Sequence, residues 1–175
     1  MLTVNRKNEP PLAGPEVWVR RLGGQEKIKC VICSHSFWGF MVHWAGNHSE
    51  PCFAETKACP GHRRGLPLKW KGYLYVADQI AREHQFLELP PQAAKDLLNW
   101  FHPVTDLRGQ IVLVTRGAGK KARLKIEPQG IWDEETWGPL AKDKDPIITL
   151  CKLWGLDPTQ VNLNGQNDVP TFKIA

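Results

Sequence analysis

The sequence predicts a mainly β fold of the α+β class. Short runs rich in β-branched and aromatic residues recur along the chain, and turn residues such as Gly and Pro separate them. One amphipathic helical pattern interrupts these runs, and 175 residues with 42% hydrophobic content suffice to bury one core. We therefore expect one β-rich domain with a helix between its strands.

Four strands are predicted in the first half of the chain. They cover residues 17–19, 27–33, 37–44 and 69–76, where β-forming residues predominate and hydrophobicity partly alternates. Gly39, inside the third run, is predicted to allow a bend or the close approach of another segment.

The second half predicts a helix, a hairpin and a second helix. Two prolines open the first helix, whose apolar residues recur at helical spacing until Pro103 ends it. Residues 107–116 and 122–127 predict a hairpin around a turn rich in Gly and Lys. A short helix follows over 146–154, with Pro at its first turn and Gly at its end.

This order of elements predicts a small OB-like β-barrel. The oligonucleotide-binding (OB) fold is a five-stranded barrel that often carries a helix before its final strands. We assign the barrel domain to residues 16–128. A proline-rich flexible arm precedes it at 1–15, and an acidic C-terminal helical appendage with a polar tail follows at 129–175.

Residues 45–67 are predicted to form a zinc-binding loop inserted in this barrel. They lack hydrophobic periodicity, yet they contain Cys52 and the turn CPGH, which runs from Cys59 to His62. Zinc in structural sites takes four Cys or His ligands in a tetrahedron. The two-residue gap lets both ends of the CPGH turn face one ion, with Pro fixing φ and Gly permitting the positive φ of a reversal.

Two zinc quartets remain open, and they share the CPGH turn. The six candidate ligands are Cys30, Cys33, His43, Cys52, Cys59 and His62. The first quartet adds Cys30 and Cys33, which have the two-residue spacing of a zinc knuckle. The second adds His43 and Cys52, is more local, and explains a cysteine in a loop that lacks a core. We favour the second quartet slightly.

No catalytic arrangement is recognisable in the sequence. A redox pair at Cys30 and Cys33 would need a following helix to lower the thiol pKa. A catalytic zinc would need an open coordination position and a Glu base. The run GAGKK at 117–121 departs from the P-loop, in which Ser or Thr follows the Lys. We therefore predict a protein that is not an enzyme.

Positive charge and aromatic residues are interleaved in two segments. The net charge is +5, and the positive excess lies in residues 1–76 and 107–128. Cations that follow phosphates, together with flat rings on which bases stack, are typical of proteins that bind single strands. The candidate nucleic-acid contacts are Arg20, Arg21, Arg63, Arg64, Lys69, Lys71, Tyr73, Tyr75, Arg116, Lys120, Lys121, Arg123 and Lys125.

Alternation along the strand at 69–76 predicts a platform on which bases could stack. One face carries two lysines and two tyrosines: Lys69, Lys71, Tyr73 and Tyr75. The competing interpretation is that the aromatic residues of this region belong to the core. We favour that interpretation for Trp38, Phe40 and Trp70.

The sequence thus predicts a non-catalytic protein that binds single-stranded DNA or RNA and contains one structural zinc ion. The alternative is a protein–protein adaptor or accessory subunit of a larger nucleic-acid-processing complex, docking through residues 130–156. The N-terminal residues lack the apolar stretch of a secretion signal, and no run approaches the roughly 20 apolar residues of a membrane span. We expect a cytoplasmic location, or a nucleoid or nuclear one with DNA, where thiols stay reduced.

Overall fold

The computed structural model describes residues 17–52, 59–101, 106–119 and 121–157. They form one mixed sheet of eight strands with few helices, so the predicted mainly β class is confirmed. The predicted arm at 1–15, Lys120 and the polar tail lie outside the described residues. Within those residues, no helix is both long enough and apolar enough to cross a bilayer.

Eight strands and four helices follow one another along the described chain. They are β1 (Trp18–Arg20), β2 (Lys27–Ile32), β3 (Trp38–Trp44), β4 (Ser49–Pro51), α1 (Pro60–Arg63), β5 (Leu68–Asp78), β6 (His84–Leu89), α2 (Pro91–Phe101), β7 (Gln110–Arg116), β8 (Leu124–Ile131), α3 (Glu134–Trp137) and α4 (Ile147–Trp154). The predicted first helix is α2, the predicted hairpin is β7 with β8, and the predicted last helix is α4. The elements β4, β6, α1 and α3 have no counterpart among the predicted ones.

The central strand is β5, which pairs with three neighbours. On one edge it pairs with β6. On the other edge, β3 pairs with the first half of β5 and β2 pairs with its last residues. The order across the sheet is β1-β6-β5-β2-β7-β8, with β3 and β4 as a side branch. Among the strands of the described residues, only β1 and β6 run parallel.

The predicted OB-like barrel is wrong as to closure. The strands β1 and β8 lie at the two ends of the sheet, and each pairs with one strand in the described part of the chain. The 11 residues of β5 are shared between two partners on the same edge, so the sheet forks there instead of closing. Alternation of side chains specifies the two faces of a strand, but not the shear that closes a barrel.

One face of the sheet, the first face, packs against α2. The helix buries Ala94, Leu97 and Phe101 at the spacing that the sequence predicts, and Ala93 beside them, whereas the apolar Leu98 of the same pattern is exposed. The buried residues cover a core of strand side chains that includes Leu74.

Trp70 lies at the edge of the first-face core, where two glycines make room for its ring. The ring makes an edge contact with Phe37, with 5.9 Å between the centroids. A Cβ atom at Gly39 or Gly72 would lie 2.6 or 2.7 Å from atoms of the Trp70 ring. The close approach predicted at Gly39 is therefore its contact with Trp70.

Part of the opposite face, the second face, is covered by the described residues of the C-terminal appendage. Helix α4 buries Ile147 and Leu150 in a core with Phe40 and Tyr73 of the sheet. Upstream of α4, Trp132 packs against a further group of buried residues on this face. The described part of the appendage is thus a layer of the fold.

Arg108 fastens the segment before α4 to the sheet. Its guanidinium donates hydrogen bonds to the carbonyl oxygens of Leu140 (3.2 Å), Ala141 (2.7 Å) and Cys33. A guanidinium has five N–H donors in one plane, so a single side chain satisfies three backbone acceptors.

We expect Arg108→Met to lower the free energy of unfolding by about 3 kcal/mol, because charged hydrogen bonds are lost and half-buried carbonyls lose their donor. Urea denaturation measures the change. Lys142→Met removes an exposed cation from the same segment and should change stability by less than about 0.5 kcal/mol. An Arg108→Met chain as stable as the native one would show that these hydrogen bonds do not hold the segment on the sheet.

Candidate metal centre

Four side chains from the predicted zinc loop and its flanks converge on one point. They are His43 of β3, Cys52 just after β4, Cys59 just before α1, and His62 within α1. One ligand atom from each lies within 4.8 Å of the ligand atoms of the others, so the group could hold a metal ion. The structure therefore brings together the residues of the second quartet.

The β3–β4 hairpin and the short helix α1 position the four ligands. In the hairpin, His43 pairs with Glu50, and the Cys52 N–H donates to the Met41 carbonyl at 3.0 Å. Helix α1 starts at a proline, and the Arg63 N–H donates back to the Cys59 carbonyl at 3.1 Å. Residues three apart lie on the same side of a helical turn, so the two ends of the CPGH turn face the hairpin together.

One ligand distance within the cluster is close to that between two ligands of a tetrahedral ion. The Cys59 Sγ atom lies 3.3 Å from His43 Nε2. The rings of His43 and His62 are nearly perpendicular, with 4.5 Å between centroids. Zinc–nitrogen and zinc–sulfur bonds of about 2.0 and 2.3 Å place tetrahedral N and S ligands roughly 3.5 Å apart.

A backbone carbonyl orients His43 toward the cluster. The Nδ1 atom of His43 lies 3.2 Å from the Leu66 carbonyl oxygen. Since a carbonyl only accepts, this contact assigns the hydrogen to Nδ1 and leaves the lone pair of Nε2 facing Cys59. The Leu66 N–H in turn donates to the Gly61 carbonyl at 3.0 Å. Leu66, which follows the CPGH turn, therefore fixes the orientation of the His43 ring, as a hydrogen-bond partner of a metal ligand is expected to do.

Gly61 is required because α1 packs directly on the His43 ring. A Cβ atom at Gly61 would lie 2.2 Å from the nearest ring atom of His43. The predicted reason for this glycine, a positive φ, is wrong, because Gly61 lies inside α1 and is not one of the positive-φ glycines. The glycine serves close packing at the centre of the cluster.

Three of the four candidate ligands are buried and one is exposed. His43, Cys52 and Cys59 are buried, whereas His62 is exposed. Buried polar side chains need partners, so a set of thiols and imidazoles enclosed in this way is suited to a bound cation.

The structure does not bring Cys30 and Cys33 to this cluster. Cys30 lies in the first-face core and Cys33 in a core of the second face, because the two residues point to opposite sides of the strand. Burial raises the pKa of Cys30 to about 12, with Asp78 nearby as a further cause, and burial raises the pKa of Cys33 to about 11. Both thiols stay protonated at neutral pH, which also disfavours the redox pair.

Comparison with protein-family models, with curated proteins and with solved structures found no match. The functional candidates are thus the residues that the geometry brings together. One set is the His43, Cys52, Cys59 and His62 cluster, and the other consists of exposed cations.

The predicted stacking platform on β5 needs correction. Tyr73 and Tyr75 are both buried, at 1% and 5% exposure. The Tyr73 ring packs against Phe40 and the Tyr75 ring against Phe86. Helix α4 covers Tyr73, so neither tyrosine presents a face to a base. The structure also places Trp38 and Phe40 in or against the second-face cores, as predicted.

Several predicted cations near the loop are neutralised within the chain. Arg20 pairs with Asp78 at 3.4 Å, Arg21 with Glu88 at 3.8 Å, Lys71 with Glu88 at 2.8 Å, and Arg64 with Glu50. The ammonium groups of Lys69 and Lys71 lie 5.0 and 5.6 Å from the centre of the Trp44 ring. Arg63, on α1, is exposed. This side of the molecule therefore has much less net positive charge than its sequence suggests.

A second group of cations, the strand cation surface, lies on β2, on β8 and just before β8: Lys27, Lys29, Arg123 and Lys125. Lys27 pairs in register with Thr115, which pairs with Lys125, so the two lysines flank one threonine on the same face. All four cations are exposed, and none has a carboxylate within ion-pair distance among the described residues. Lys121 is exposed at the adjoining turn, while Arg116 donates to the Leu22 carbonyl at 2.8 Å.

The sequence did not reveal Lys27 and Lys29 as members of this surface. The alternation of β2 is visible in the sequence, but the neighbour of β2 is not. Only the register of β2 on β7 shows that these lysines join Arg123 and Lys125.

We expect Gly61→Ala to lower the free energy of unfolding by about 2 kcal/mol, because the added methyl group overlaps the His43 ring. The same substitution should weaken metal binding by at least about tenfold, since either His43 or α1 must move. Chemical denaturation and a competitive metal-chelator titration measure the two effects.

Gly117→Ala is the matched control, because its Cβ would meet only an Ala122 Cβ at 3.7 Å and the residue has no positive φ. Unchanged metal affinity in Gly61→Ala would show that the packing of α1 on His43 does not shape the cluster.

Proposed function

We propose that the His43, Cys52, Cys59 and His62 cluster is a structural zinc site. Two thiolates and two imidazoles are a ligand set that zinc takes in structural sites. Four protein ligands fill a tetrahedron and leave no position for a substrate or a reactive water, which supports a structural over a catalytic role. Zinc binding to such sets contributes on the order of 10 kcal/mol at neutral pH, enough to order a loop that has little apolar surface.

We further propose that the chain binds single-stranded DNA or RNA without catalysing a reaction. The observation that carries this proposal is the strand cation surface, where exposed cations lack carboxylate partners among the described residues. Adjacent strands lie about 4.8 Å apart, so Lys27 and Lys125 start roughly 10 Å from each other and their long side chains can contact neighbouring phosphates. No member of the strand cation surface is aromatic, so this surface suits phosphate contacts rather than base recognition.

The adaptor alternative has less support in the structure. Residues 130–156 were its proposed docking segment, yet this segment buries Ile147 and Leu150 on the chain's own sheet. Exposed apolar side chains do remain there, including Trp137 and Leu153. We therefore retain a protein partner only as the second candidate function.

The zinc proposal is tested by metal analysis of single-cysteine variants. We expect one zinc ion per native chain, loss of that zinc in Cys52→Ser, and full zinc content in Cys30→Ser, because only Cys52 belongs to the cluster. Elemental analysis after gel filtration measures the ratio. Zinc lost from Cys30→Ser but kept by Cys52→Ser would assign the metal to the first quartet.

The binding proposal is tested by the salt dependence of oligonucleotide affinity. Replacing both Lys27 and Lys125 by Gln should lower the slope of log affinity against log salt by about 1.4, since each phosphate contact to a single strand contributes about 0.7. Fluorescence anisotropy with a labelled oligonucleotide measures the slope.

The control for that experiment is the Lys95→Gln, Lys142→Gln double variant, which removes the same charge from exposed positions outside the strand cation surface. An equal loss of slope in this control would show that the effect comes from net charge and not from the strand cation surface. Absence of binding at low salt would refute the proposed function.

A further inference from the structure

The structure has two adjoining cavities, and the smaller one shares Arg123 with the strand cation surface. The larger has a volume of about 410 Å³ and the smaller about 200 Å³. Arg21 and Glu88 line both cavities, so the two are neighbours. The larger volume is in the range of sites that hold small organic molecules, roughly 300–1,000 Å³.

Three guanidinium groups line the smaller cavity. Arg21 directly follows β1. Arg116 is the last residue of β7, and Arg123 directly precedes β8, so both belong to the β7–β8 hairpin. The one carboxylate in its lining, Glu88, pairs with Lys71 at 2.8 Å and with Arg21 at 3.8 Å, so it offsets only part of the positive charge around the cavity. Arginine forks match phosphate oxygens in geometry and charge, so this cavity is suited to a phosphate group.

Aromatic walls and hydrogen-bonding atoms without partners characterise the larger cavity. Trp44 and Trp154 are part of its lining. Two of its lining residues, Ser49 and Trp154, each carry a buried polar atom, Ser49 Oγ and Trp154 Nε1, that has no hydrogen-bond partner among the described residues. A buried donor without an acceptor destabilises the fold, so a ligand that offers acceptors next to a flat ring would be bound favourably.

We infer that the two cavities together hold one nucleotide of a single strand. The phosphate lies at Arg21, Arg116 and Arg123, and the base lies against Trp44 and Trp154, where the carbonyl or ring nitrogen atoms of its edge accept from Ser49 and the indole. This inference rests on the proposed nucleic-acid binding and adds base contact to it. Arg123 belongs both to the smaller cavity and to the strand cation surface, so one strand can follow the phosphate contacts from β8 into the nucleotide site.

The test compares two labelled oligonucleotides of equal charge, an oligothymidylate of about 15 nucleotides and an abasic strand of the same length. Fluorescence anisotropy at one low salt concentration measures both affinities. The native chain should bind the oligothymidylate roughly tenfold more tightly, since stacking of one base on an aromatic side chain is worth about that much. Trp44→Leu should reduce this ratio to about one and leave the affinity for the abasic strand unchanged.

Two variants guard against an effect on folding. Trp154→Phe keeps a ring in the core beside Phe40 but removes the indole N–H, and it should lower the ratio by roughly threefold. Trp137→Leu changes an exposed tryptophan that lines neither cavity and should leave the ratio unchanged.

Equal affinity of the native chain for the two strands would overturn the nucleotide site. The proposed function would still stand if binding weakened with salt as predicted. A ratio that Trp44→Leu and Trp154→Phe both leave unchanged would overturn it as well. Thymidine monophosphate, used as a competitor, should be far weaker than the oligonucleotide. A monophosphate that competes as tightly as the oligonucleotide would show that the site takes free nucleotides and overturn the assignment to a strand.

Discussion

The convergence of His43 with the CPGH turn is the interaction on which the rest of the site depends. The Cys59 thiol lies 3.3 Å from His43 Nε2, and α1 packs on the imidazole through Gly61. His43 also pairs with Leu68, the first residue of β5. The cluster therefore fixes the start of the strand with which β2, β3 and β6 all pair.

A zinc ion at this cluster would stabilise the proposed nucleotide site as well as the loop. Trp44 follows His43 directly, and Ser49 of the same hairpin lines the larger cavity together with Trp154 of α4. The smaller cavity of the nucleotide site depends on the β7–β8 hairpin, which supplies Arg116 and Arg123. Metal binding and strand binding thus involve different residues, and a substitution of Arg116 or Arg123 can weaken strand binding without removing a metal ligand.

Local signals predicted the features that depend on neighbours in the chain. The helical spacing of α2, the β7–β8 hairpin and the CPGH turn were visible, because each depends on a few consecutive residues. Alternation also placed Cys30 and Cys33 on opposite sides of their strand.

Features that depend on distant segments could not be predicted in this way. The burial of Tyr73 requires α4, which lies more than 70 residues later in the sequence, and the strand cation surface requires the register of β2 on β7.

The most direct test of the zinc cluster is X-ray absorption at the zinc edge of the purified native chain. We predict two sulfur ligands at about 2.3 Å and two nitrogen ligands at about 2.0 Å. Three sulfurs with one nitrogen, as the quartet with Cys30 and Cys33 would give, or a shell without sulfur, would contradict this account.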